Sequence, residues 1–300
     1  MRLKDGRYQH GDSGLSPELP PDFDIMKFNR GRHFFKENIY SCTKAMFFSL
    51  IIGMSIPEFL EALIFTEETN TPAKALKRYL YTYSHVLKWH YGNVWDKTST
   101  AHKSILLVRS MHDKVRNKMH AAHSDRNRQF LSQYDMGVVL SGFMGGVIMY
   151  PRFGGIICSR SDLDDYVYFW YGIGYLLGIE DRYNICARGL DDALIFCKEI
   201  EQEIVYRSMQ KPPDEYTEMT NALLSSVTKG RSFTLLTVPV ISALAIDLMG
   251  KQHVYSLSYS DTIRYYIWKI IFFSIRHCYI LRNLLNRAVE KVHGLTFEKS

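Results

Sequence analysis

The sequence predicts an all-α protein, and three observations carry that expectation. Apolar residues recur at spacings of three and four over several long stretches. Gly and Pro, at 19 and 9 of 300 residues, fall below their usual combined share of roughly 12%. Turn dipeptides do not recur at the short, regular spacing that sandwiches and barrels need. With 46% apolar residues, the chain has ample material for a continuous core, which excludes disorder for most of its length.

Residues 1–29 read as a polar N-terminal arm carrying Pro17, Pro20 and Pro21, which either wraps the surface or stays mobile. A single helical domain follows over 30–300, its pattern helical from Phe34. Ser55, Pro57 and Glu58 form a start signal for a helix to about Thr66, and 69–72 breaks it. Leu76, Leu80, Tyr83 and Leu87 define an amphipathic helix over about 73–90. Ile105, Val108, Met111, Val115 and Met119 do the same over about 99–122. The stretch 133–149 is almost wholly apolar but holds Gly137, Gly142, Gly145 and Gly146. Each glycine costs a helix about 1 kcal/mol relative to Ala, so something bulky is expected against this backbone: another helix or a bound group. Ser161 and Asp164 predict a cap for an aromatic helix from Tyr166 to Leu177, ended by Gly178. Further helices are expected at about 190–209, 216–228, 233–249 and 260–292, with Lys211-Pro212-Pro213 as a loop.

Five scattered cysteines without a CxxC pair encode neither a disulfide framework nor a thiolate zinc site. The N-terminus has no apolar stretch of the signal-peptide kind, so secretion is disfavoured and an intracellular location is expected. The longest charge-free runs, 136–151 and 232–246, fall short of the ~18–20 residues a spanning helix requires. They read as core helices, with monotopic membrane contact left open.

Arg109, His112 and Arg116 stand at i, i+3 and i+7, on one helix face that also carries Ile105, Val108, Val115 and Met119. Two readings suit an imidazole bracketed by cations on an apolar stripe. It is either a core histidine bonded to a backbone carbonyl, with arginines that snorkel outward, or an axial ligand to a planar anionic cofactor whose carboxylates the guanidiniums compensate. Arg78 and Thr82, at i and i+4, place a cation and a hydroxyl together on the preceding helix.

The order of these features resembles the rubber oxygenase family. They are a polar arm, Arg78-x-x-x-Thr82, Arg109-x-x-His112-x-x-x-Arg116, Gln133-x-Asp135 opening a Gly-rich helix, and Tyr168-Phe169-Trp170 running to Gly178. That family includes the latex-clearing oxygenases and the fungal endoplasmic-reticulum oxygenase that shortens the farnesyl chain in mycophenolic acid biosynthesis. The resemblance spans about residues 28–200. It implies a helical bundle with a globin-like core holding haem b, with His112 as iron ligand and Arg109 and Arg116 as its supporting pair. Arg78, Tyr81 and Thr82 would lie on the distal, catalytic helix. The implied activity is oxygenation of an apolar, isoprenoid-type substrate by dioxygen, in the cytoplasm or at the periphery of the endoplasmic reticulum. One position departs from the pattern: Tyr81 stands where latex-clearing members carry a basic residue, and a phenol brings one hydrogen bond but no cation at neutral pH. The alternative is a haem- or lipid-binding protein that keeps the fold without turnover.

Other chemistries find less support. His120 and His123 could share an ion, but a di-iron bundle needs two Glu-x-x-His motifs and only Glu290-x-x-His293 is present. Residues 102–128 carry seven Lys and Arg against two Asp. No nucleic-acid motif accompanies them and aromatics are not interleaved, so no nucleic-acid partner is expected. GxSxG and GxxxxGK[ST] do not occur.

Overall fold

Local capping chemistry starts most helices close to where the sequence places them. The computed structural model describes residues 3–68, 71–227, 235–252 and 256–294, and among these no strand occurs. A short 3-10 turn, Lys4–Tyr8, precedes α1 (Ile25–Glu37), whose first turn is closed by Asp24 accepting from the Lys27 amide. The helix thus begins inside the stretch expected as arm, because an aspartate cap sits there. After α2 (Ile39–Gly53), α3 (Pro57–Phe65) has Pro57 in its first turn as expected but no side-chain cap. Ser55 Oγ donates instead to the Ile52 carbonyl at 2.7 Å. Thr71 caps α4 (Pro72–Tyr91) and Ser99 caps α5 (Thr100–Ala122); residues 69 and 70 of the expected break lie outside the described residues.

A capping box of Ser132 and Asp135 opens α6 (Gln133–Met149), and the single turn α7 (Pro151–Gly154) follows. For α8 (Arg160–Leu176) the box is Ser159 with Asp162, two residues earlier than Ser161 and Asp164. Asp164 has other work: it accepts from Lys27 Nζ at 2.5 Å and from the Leu190 amide at 2.8 Å, tying α8 to α1 and to α9 (Leu190–Ile200). A π-helical segment, Glu201–Val205, leads into α10 (Tyr206–Gln210). Then come α11 (Tyr216–Val227), α12 (Val238–Met249), α13 (Tyr259–His277) and α14 (Tyr279–Val292). The single helix expected over 260–292 is two, because Cys278 is extended (φ −107°, ψ 101°).

The largest core gathers α1, α2, α6, α8 and α9, with the inner faces of α4 and α5. Tyr166, Phe169 and Trp170 are at most 1% exposed and pack on Phe34, Phe28 and Phe143, so these aromatics of α8 fill the core. Two glycines of α6 admit protein: a Cβ on Gly137 would meet the Tyr183 carbonyl at 2.9 Å, and one on Gly145 the Cys197 Sγ at 3.2 Å, whereas Gly142 faces open space. On α4 the expected stripe is rotated, leaving Leu80 half exposed while His85, Val86, Trp89 and His90 are buried. The apolar segment at α12 is buried within the protein from Val240 to Ile246. No single helix among the described residues is long and apolar enough to cross a membrane.

Candidate functional site

Helices α4 and α5 pack antiparallel, and their register sets the site. Near one end, Ser104 Oγ lies 2.6 Å from His85 Nδ1 and accepts from Trp89 Nε1 at 3.1 Å. Moving seven or eight residues along each helix in opposite directions brings Arg78 opposite His112. Arg78 reaches across to the C-terminal end of α3, where its Nη1 donates to Thr66 Oγ1 and to the Leu63 carbonyl. A cation at a helix C-terminus is favoured by the unpaired carbonyls and the macrodipole there.

His112 keeps a partly exposed edge, but its Nδ1 is sealed from solvent and has no hydrogen-bond partner among the described residues. Burial, reinforced by the Arg116 and Arg78 guanidiniums, pushes its pKa down to about 4, against a weaker opposing pull from Asp12. The ring is therefore neutral at physiological pH and holds a nitrogen that the fold leaves unused. Buried polar atoms are nearly always paired, and an exception asks for an explanation. Of the two readings the sequence left open, the carbonyl-bonded core histidine describes His90, whose Nδ1 donates to the Val86 carbonyl at 2.8 Å. It does not describe Nδ1 of His112.

The two arginines of the same face are engaged. Arg109 Nε donates to Asp12 Oδ2 at 2.7 Å, and Nη2 donates to Asp12 Oδ1 and to the Leu15 carbonyl. Arg116, 1% exposed, donates from Nη1 to Asp113 at 2.9 Å and from Nε and Nη2 to the Leu131 carbonyl. The arm thus wraps the surface across this face. Gly11 passes so close that a Cβ would collide with the Leu131 carbonyl and the Arg116 guanidinium. Gly178, at φ +88°, turns the chain after α8 so that its carbonyl accepts from the Ser13 amide at 2.8 Å and from Gln133 Nε2 at 2.9 Å. Gln133 also accepts from the Glu180 amide, so the Gln133-x-Asp135 motif serves the α6 start and the α6–α8 junction.

Residues 38–253 match the sequence profile of the family described as ER-bound oxygenase mpaB/B'/Rubber oxygenase, catalytic domain. The chain belongs to this family. The match reaches beyond the motif-bearing helices and through α12. Among solved structures, the fold is similar to that of Latex Clearing Protein LCP in the closed state, with a TM-score of 0.59 and 16% identity over 97% of this chain and 84% of that one. At that identity the likeness establishes the all-α fold alone. No curated protein sequence matches at a significant level.

Of the positions carried over from the family, Arg78, His112 and Arg116 lie within one electrostatic neighbourhood. Arg109 is turned to the arm. Tyr81 is 46% exposed, its ring edge-on to His85 at 4.5 Å, and Thr82 is exposed as well. His120 accepts from the Phe130 amide at 3.4 Å, and His123 packs on Phe65 and Phe130; among the described residues no group of three metal-binding side chains comes together. The basic stretch is largely consumed internally, Arg126 and Arg128 both pairing with Glu61. Sequence reasoning missed Asp12 and Gly11. A local signal existed only for the turn, in which Asp12 accepts from the Gly14 amide at 2.8 Å.

Proposed function

We propose that this chain is a haem-dependent oxygenase of apolar, isoprenoid-type substrates, with His112 as the iron ligand. The observation that carries the reading is the neutral His112 ring, whose Nδ1 is buried and unpartnered and which feels two nearby guanidiniums. The donor chemistry fits haem b: neutral imidazole ligates iron, and fixed cations suit an anionic macrocycle. Haem b, when bound, supplies the dioxygen chemistry that side chains lack. The chain's own contribution is to keep His112 unprotonated, through burial and through the cations at Arg78 and Arg116, and to hold Arg109 and Arg116 in place with the arm. Arg116 and Arg109 would answer the haem carboxylates only by exchanging their present partners, Asp113 and Asp12, so loading the site involves the arm. Location in the cytoplasm or at the endoplasmic-reticulum periphery goes with this reading.

Protein expressed with a haem precursor is expected to show a Soret band at about one haem per chain, and His112→Ala to lose it while keeping its helical circular dichroism. A colourless, folded wild-type protein, or full haem in His112→Ala, overturns the assignment. The engaged arginines and the exposed Tyr81 favour a second reading, a haem- or lipid-binding protein without turnover. Oxygen consumption with a panel of polyisoprenoids separates the two. Tyr81→Lys, which restores the basic residue of latex-clearing members, should raise turnover if the oxygenase reading holds.

A further inference from the structure

Helix α13 is apolar on two opposite faces. The inner face buries Tyr265, Phe272 and Ile275 against α12 and α7. The outer face carries Tyr259, Ile263, Tyr266, Ile270 and Phe273, at spacings of four, three, four and three, and these are 85%, 47%, 59%, 65% and 64% exposed. At 100° per residue they fall within an arc of about 80°. Single exposed apolar residues are ordinary, whereas a continuous row of five marks a contact surface. Helix α14 adds Ile280 and Leu284, 70% and 57% exposed, followed on their own face by exposed Arg287 and Lys291.

Charge selects the occupant. From 259 to 292 there are six Lys and Arg against two carboxylates, Asp261 and Glu290; Arg276 and Lys269 flank the apolar row, Lys269 also pairing with Asp247 of α12 at 3.2 Å. A second copy of the same face would meet like charge. We infer that the α13–α14 face seats on an anionic lipid surface, its Tyr, Ile and Phe side chains entering the boundary between headgroups and acyl chains while the flanking cations pair with lipid phosphates and carboxylates. The exposures and the charge balance support this inference, which is independent of the reading of His112.

Co-sedimentation of the full chain with phosphatidylcholine vesicles, with and without phosphatidylserine, tests it. Binding is expected to the phosphatidylserine vesicles, to weaken as salt is raised, and to fall about ten-fold or more in Ile270→Glu/Phe273→Glu. Both side chains are exposed, so this variant should fold; Ile270→Gln is the milder check, and circular dichroism verifies both. The inference is overturned if the wild type ignores phosphatidylserine vesicles, binds neutral ones equally, or binds undiminished in the double variant. It is equally overturned if sedimentation velocity shows a wild-type dimer that the double variant dissolves.

Discussion

The Asp12 carboxylate accepts from both Nε and Nη2 of Arg109, clamping the N-terminal arm to the helix that carries His112 across 97 residues of sequence. Both partners are largely buried, with side-chain exposures of 17% and 13%. The guanidinium and the Gly14 amide hold the Asp12 pKa below its ordinary value despite burial, which by itself would raise it. The clamp makes the arm part of the site's wall.

Asp12→Asn removes the charge and one of two acceptors while keeping the shape. A charge-assisted hydrogen bond is worth about 1.5–3 kcal/mol, so thermal denaturation should show a loss of that order. Limited proteolysis should cut residues 7–20 faster than in the wild type. An unchanged cleavage rate would mean that the arm is held without Arg109.

Arg109→Leu should destabilise by about 3–5 kcal/mol, the cost of leaving the largely buried Asp12 alone. Arg116→Leu should destabilise by about 1–3 kcal/mol, since it strips the Leu131 carbonyl of its donors while its ion partner Asp113 is 45% exposed. Exposed Lys114→Leu on the same helix should stay within about 0.5 kcal/mol. Chemical denaturation midpoints compare the three, and equal shifts would show that the shared face does not matter.

Two glycine substitutions should move stability in opposite directions. Gly11→Ala drives a methyl group into the Leu131 carbonyl and Arg116, a clash of the overpacking kind that costs about 1–3 kcal/mol. Gly142→Ala, with nothing within 4 Å of its new Cβ, should gain about 0.5–1 kcal/mol from helix propensity alone. Melting temperatures decide both.

Acid should weaken the fold through its histidines. His112 and His90 are held at about 4 and about 3, chiefly by burial, against an ordinary value of 6.5. The folded chain therefore binds fewer protons than the unfolded one between those limits. Their stabilisation is complete above about pH 6.5 and drains as pH falls toward 4, by about 1.4 kcal/mol per pH unit per ring. The depressed Asp12 loses its contribution only below 3.8. Urea midpoints from pH 7.5 to 4.5 should show this slope. His90→Phe, which keeps an aromatic ring between Phe35 and Phe169, should flatten it; an identical slope would clear His90 of any part in acid sensitivity.

What the sequence determined by itself was local. Helix starts near 73, 99 and 133 are legible from periodicity, and side-chain oxygens of Thr71, Ser99 and Ser132 cap them by bonding amides three residues on, whereas the caps expected at Ser55 and Ser161 do not form. The shared face of Arg109, His112 and Arg116 follows from helical periodicity alone. For α8 the sequence points to Ser161 with Asp164, and the structure uses Ser159 with Asp162. Asp164 is occupied elsewhere, by Lys27 and the Leu190 amide, contacts that only tertiary packing supplies. Only tertiary packing decided the partners of the buried cations: Thr66 for Arg78, the Leu131 carbonyl for Arg116 and Asp12 for Arg109. Those pairings depend on how the arm and α3 lie against α4 and α5. That arrangement is fixed by burial of apolar surface far along the chain, which leaves no mark in the spacing of residues near either partner.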